Sequence, residues 1–216
     1  MDAGALRRNI PRDVFDYQTL VSALPGYRKP RDKIGRLLAS GTIVRIRKGL
    51  YCFGEGLRRA AICREQVANL VYGPSYVSME SALSYHGLIP ERVEVVTSVT
   101  TRRSRTFETP LGRFSYRMLG GERYSTGASL EKLGDSSFLI AGAEKALADK
   151  VWTDAGCPGR SLSGMKTYLI EDLRIDADAL RVLDRSRFAE IVAAYGSAKI
   201  DRMIRCLEEY WSVSHA

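Results

Sequence analysis

The chain has little with which to hold a metal ion. Only two histidines are present, His86 and His215, and the four cysteines, Cys52, Cys63, Cys157 and Cys206, stand far apart without one C-x-x-C pair. Zinc ligands come as closely spaced pairs, so no metal site is expected, and the cysteines read as reduced, mostly buried thiols. Long hydrophobic runs are also missing. None approaches the roughly 20 apolar residues that span a bilayer, and the opening MDAGALRRNIPRD lacks the apolar core of a signal peptide. The expectation is a cytoplasmic protein with no membrane partner.

Catalytic patterns are absent too. There is no P-loop, G-x-S-x-G, HExxH or Rossmann glycine signature. Glu144-Lys145 and Asp149-Lys150 suggest a metal-dependent nuclease at first sight. The upstream Asp and the E-x-K strand of such an enzyme are lacking, and on a helix Lys145 and Asp149 form an ordinary i,i+4 pair. His86 precedes Gly87 at a helix end, where an imidazole can bond the last free carbonyls, a structural role. The reading is of a binding protein with no catalytic residues, no metal and no cofactor.

Acid is scarce in one place only. Residues 1–60 carry 13 Lys/Arg against 5 Asp/Glu, a net +8, while residues 61–216 carry 20 of each. Within residues 28–48, Arg28, Lys29, Arg31, Lys33, Arg36, Arg45, Arg47 and Lys48 face Asp32 alone. These cations are interleaved with an apolar helical pattern and then a strand pattern, so they decorate a folded unit. With 45% apolar and 27% charged residues, the chain is neither a disordered tail nor a membrane protein. A folded, strongly positive surface on an otherwise neutral chain is the footprint of nucleic-acid binding.

The local pattern gives that surface a shape. Asp16 reads as the N-cap of a short helix with Tyr17, Leu20, Val21 and Leu24 at helical spacing, ended by Pro25-Gly26. A second helix is predicted from Pro30 to Ser40, with Gly41 as its C′ residue. With Ile34, Leu37 and Leu38 inward, Arg36 projects outward, Asp32, Lys33 and Ser40 flank it, and Arg31 borders the buried stripe. Val44 and Ile46 then alternate with Arg45 and Arg47, Lys48-Gly49 turns, and Leu50 to Phe53 returns, a basic hairpin directly after a cationic helix. This is the plan of a winged helix-turn-helix, which reads duplex DNA through the major groove.

Gly54-Glu55-Gly56 reads as a hinge, dividing a DNA-binding domain of residues 1–56 from a second domain of 57–216. The second domain is predicted as mixed α/β: helices over Ala60–Tyr72, Ser78–Tyr85 and Ala143–Trp152, and strands over Val93–Thr100, Phe114–Met118 and Phe138–Ala141. A helical tail follows over 162–211, with turns at Ile175-Asp176 and Gly196-Ser197. The whole is therefore α+β. Arg102, Arg103 and Arg105 form a polar basic loop that offers a second contact surface.

The stretch from Ser75 to Met118 resembles the AbiEi family of antitoxins from type IV toxin–antitoxin systems. The resemblance rests on Tyr76-Val77-Ser78, Ser81-Ala82-Leu83, Tyr85-His86-Gly87-Leu88, the Val-Thr strand, the Arg102-Arg103 loop and a G-x-F-x-Y strand. Gly41-x-Ile43-x-Arg45-x-x-Lys48-Gly49-Leu50-Tyr51 is similar to that family's winged-helix signature, and Ala143-Glu144-Lys145-Ala146-Leu147-x-Asp149 to its later helix. Matching pieces extend over about residues 10–150. The resemblance implies a repressor of its own operon, bound to inverted repeats in double-stranded DNA. It also implies a second domain that counteracts a nucleotidyltransferase toxin without a stable complex. Two other classes stay open: a stand-alone winged-helix transcription factor whose second domain binds a ligand or dimerises, and an enzyme with an appended DNA-binding domain.

Overall fold

Asp16 begins the second helix as its spacing predicts: its carboxylate accepts a hydrogen bond from the Thr19 amide at 2.8 Å. Asp2 does the same for Ala5, starting a helix the pattern did not disclose. The computed structural model describes residues 2–212, so His215 lies outside the described residues. The amino-terminal part runs α1 (Ala3–Asn9), β1 (Val14–Asp16), α2 (Tyr17–Ser22), α3 (Pro30–Ala39), β2 (Ile43–Arg47) and β3 (Leu50–Phe53). Pro30 occupies the first turn of α3, Ser40 caps it, and Gly41 follows with φ +67°, a backbone suited to glycine.

The three strands form an antiparallel sheet in the order β1-β3-β2. Its register breaks between Arg45 and Arg47, so strict alternation fails at Ile46. All four residues of β3 are buried, because the hairpin is covered on both faces. Ile43, Tyr51 and Phe53 join Leu6, Ile10, Phe15, Leu20, Ile34 and Leu37 in a small core. Ile46, Leu50 and Cys52 join the core of the rest of the chain, with Val44 packed against it. Continuous apolar character in β3 follows from this double burial.

The stretch expected as a hinge is a single 3₁₀ turn, Glu55–Leu57. Gly54 is needed there, since a Cβ would sit 2.0 Å from the Gly41 carbonyl oxygen. Asp13 then ties the departing chain down, accepting from the amides of Arg59 at 3.1 Å and Ala60 at 3.2 Å and from the Arg7 guanidinium at 2.9 Å.

Beyond it the chain runs α4 (Arg64–Val71), β4 (Ser75–Val77), α5 (Met79–Tyr85), β5 (Val96–Thr100), β6 (Arg105–Thr109), β7 (Gly112–Met118), α6 (Glu122–Ser125), β8 (Ala128–Leu133), β9 (Ser136–Ala141) and α7 (Ala143–Thr153). The strands build one mixed six-stranded sheet, ordered β6-β7-β5-β4-β9-β8. Its central strands β4 and β5 are almost wholly buried, whereas edge strands β6 and β8 are mostly exposed. The helical C-terminal region comprises α8 (Leu162–Thr167), one π turn (Tyr168–Asp172), α9 (Ala177–Arg181), α10 (Arg185–Tyr195) and α11 (Ala198–Ser212). Ile200, Met203, Cys206, Leu207 and Trp211 repeat at helical spacing and dock α11 on the core. The fold is thus α+β. All four cysteines are free and buried, and among the described residues no helix is long and apolar enough to cross a membrane.

Candidate nucleic-acid interface

Helix α3 buries Ile34 and Leu37 and leaves Arg36 fully on the solvent side, as its wheel predicts. Arg28, Lys29 and Arg31 are exposed ahead of it and in its first turn. Lys33 is half-buried, its ammonium 5.6 Å from the centroid of the Tyr27 ring, so Arg31 and not Lys33 is the freer of the two. Among the described residues, Arg28, Lys29, Arg31, Arg36, Arg45, Arg47 and Lys48 make no ion pair. Uncompensated like charge on two adjacent elements favours an anionic partner.

The bulge gives the two hairpin arginines different surroundings. Arg45 is directly opposite Tyr51, and its guanidinium lies 5.9 Å from that ring. Arg47 is opposite Leu50, on the face turned to the six-stranded sheet. Its guanidinium donates to the Val71 carbonyl at the end of α4 and lies 5.9 Å from the Phe107 ring.

Arg102, Arg103 and Arg105 are exposed at the entry to β6, and none is in an ion pair among the described residues. They do not sit at a hairpin tip: residues 101–104 carry the chain from β5 across to the sheet's edge, because β7 lies between β5 and β6. Arg102 and Arg105 border an open cleft of about 540 Å³ whose other wall is the hairpin tip, Arg47, Lys48 and Gly49. Arg103 does not line it; its carbonyl accepts from the Tyr72 hydroxyl at 3.3 Å. The cations at 45–48 and those at 102–105 are 54 or more residues apart in sequence, so their meeting is visible only in three dimensions.

Lys145 and Asp149 form the expected i,i+4 pair, Nζ to Oδ1 at 2.6 Å, but in the interior: they are 1% and 0% exposed. Lys145 also donates to the Arg123 carbonyl and the Tyr195 hydroxyl, both at 2.6 Å. Asp149 accepts in addition from Tyr195, from Ser78 at 2.6 Å and from Tyr76 at 3.2 Å. Burial lowers the lysine's proton affinity below its ordinary value, against the pull of Asp149. All three ammonium donors have acceptors, so the cluster is a closed structural network and offers no free base or nucleophile. The Tyr partners, 73 and 46 residues from Asp149, are what the local spacing could not disclose.

His86 bonds a carbonyl through Nε2, but that of Ala141 at 2.8 Å, at the end of β9, and not one of its own helix. Among the described residues no group of three or more His, Cys, Asp or Glu is arranged to hold a metal ion. What the fold and these cations define is an α+β protein whose exposed basic residues are spread over one helix, one hairpin and one loop. The chain matches no protein-family model and no curated protein sequence.

Proposed function

We propose that α2, α3 and the β2–β3 hairpin act as a winged helix-turn-helix that binds duplex DNA and represses the chain's own operon. The observation that carries this reading is that Arg31 and Arg36 on α3 and Arg45 and Lys48 on the hairpin are exposed and in no ion pair among the described residues, with Arg36 aimed away from the core. A helix of this kind fits the major groove, where arginine recognises guanine O6 and N7. The division into a reading unit near residues 1–56 and a second unit of 57–216, and the contribution of Arg102, Arg103 and Arg105 as a second surface, belong to the same proposal. So does its character as a cytoplasmic binding protein and not an enzyme.

The second half of the proposal is an antitoxin role against a nucleotidyltransferase toxin, exerted without a stable complex. Its support is the resemblance of Ser75–Met118 to type IV antitoxins. The test uses the full chain twice. Gel shifts should show preference for DNA upstream of its own gene over random duplex, and co-expression should restore growth of cells making a cognate nucleotidyltransferase toxin. Equal affinity for both DNAs removes the repressor; absence of rescue with soluble protein removes the antitoxin. A stand-alone transcription factor with a ligand-binding second unit is the other reading, favoured by the cleft between hairpin tip and sheet.

A further inference from the structure

Two distant parts of the chain bring cations to one cleft. The hairpin tip supplies Arg47 and Lys48, and the approach to β6 supplies Arg102 and Arg105, with Tyr72 and Phe107 between them. The rings hold the guanidinium groups in place: Arg102 lies 5.8 Å from the Tyr72 centroid, and Arg105 lies 5.2 Å from that of Phe107. Arg47 is anchored on the Val71 carbonyl. Cations already ordered lose less side-chain entropy when a ligand arrives. The one acid of the lining, Asp16, has its carboxylate committed to the amide of Thr19 at the start of α2.

Guanidinium donors suit phosphate oxygens, and half-buried rings beside them suit a nucleobase. The cleft's 540 Å³ falls in the range of about 300–1,000 Å³ typical of small-ligand sites. We infer that this cleft binds a nucleoside polyphosphate, its phosphates on Arg102, Arg105 and Lys48 and its base against Phe107. The same phosphate chemistry can come from a DNA backbone. That source rests on the DNA-binding function proposed above; a free nucleotide does not.

Calorimetric titration of the full chain with ATP, and separately with inorganic triphosphate, reads the site. ATP should saturate a single site and bind more tightly than triphosphate, which lacks the base. The double variant Arg102→Gln/Arg105→Gln should weaken both by about tenfold or more, and Phe107→Leu should weaken ATP more than triphosphate, since it removes the base contact as well as the ring beside Arg105. Lys132→Gln, on the exposed edge strand β8 at the far side of the sheet from β6, should change neither. A second arm measures the salt dependence of duplex binding. If the wild type takes no nucleotide but the double variant's slope falls by about two units, at roughly 0.9 per phosphate, the phosphate site stands and DNA fills it.

The nucleotide inference is overturned if neither anion binds the wild type, whatever the salt slope, or if ATP binds wild type and double variant alike. Thermal unfolding of the variants identifies any that fail to fold, and Lys48→Gln, on an exposed turn, then carries the comparison. A protein that binds ATP but no DNA keeps the cleft and loses the repressor, so the two failures are distinct.

Discussion

Arg45 and Arg47, two residues apart on one strand, lie on opposite faces of the hairpin, because the bulge at Ile46 shifts the register between them. Their replacements should therefore differ. Arg45→Ala should flatten the plot of log K against log salt by about one unit and leave stability nearly unchanged. Arg47→Ala loses its bond to the Val71 carbonyl and should cost about 1 kcal/mol of stability. Anisotropy titrations over a salt series and thermal melts measure both. Equal slopes and equal melting temperatures would show that the hairpin's two faces are equivalent in solution.

In the proposed docking of α3 in the major groove, Arg36 is the exposed cation that faces the bases. Arg36→Ala should remove about 1–3 kcal/mol of discrimination between specific and random duplex, while non-specific affinity falls less. Competition binding with the two DNAs gives the ratio. A parallel loss for both makes Arg36 a phosphate contact only.

The Lys145–Asp149 pair should be costly to break and cheaper to replace. Removing one partner leaves the other buried and unmatched, and Asp149→Ala should lose about 3–5 kcal/mol in urea unfolding. Lys145→Met with Asp149→Leu should lose less than the two single changes added together. Strict additivity in that double-mutant cycle argues against a coupled network.

Asp154 makes stability depend on acid. Burial alone would raise its pKa, but the Lys150 ammonium at 2.6 Å, the Tyr168 hydroxyl at 2.8 Å and the Gly156 amide hold it down to about 2. A carboxyl whose folded pKa is depressed stabilises the protein above its unfolded value, about 3.8, and loses that contribution as pH falls toward 2. The contribution at neutral pH is on the order of 2 kcal/mol. Urea unfolding of wild type and Asp154→Asn should show a gap at neutral pH that narrows by pH of about 3. A gap that does not change with pH assigns the effect to packing.

Cutting the chain after Gly56 tests its division of labour. Separation exposes the hairpin face formed by Ile46, Leu50 and Cys52, which the larger core covers in the intact chain. The 1–56 fragment should bind DNA weakly and melt without a sharp transition, since a unit of this size is near the lower limit for an independent core. Circular dichroism across a temperature ramp checks it. A sharp, cooperative transition in the isolated fragment would mean that the small core suffices.

What the sequence disclosed and what it hid have the same cause. Helix α3 was legible from Pro30 to Gly41 because its stop and start signals and its apolar face are all local. The strands around Val99 and Phe114 were legible because buried or alternating residues mark them. Strand β8 was not: its residues are exposed at the sheet's edge, so no apolar period announces it. Arg45 and Arg47 looked equivalent because a bulge is a property of the pairing, not of one strand. The cleft joining Lys48 to Arg102, and the burial of Lys145, depend on which elements meet, and periodicity carries no information about that.

The four buried thiols have a use the fold did not build them for. Cys52 sits on the hairpin face between the two cores, Cys63 at the head of α4, Cys157 after α7 and Cys206 within α11. Burial raises the proton affinity of each, so a reactive thiolate forms only when its surroundings part. The chain therefore carries four internal clocks. The rate at which each sulfur takes up an alkylating reagent counts the openings of its own neighbourhood, and Cys52 times the parting of the two cores separately from Cys206, which times the loosening of the last helix.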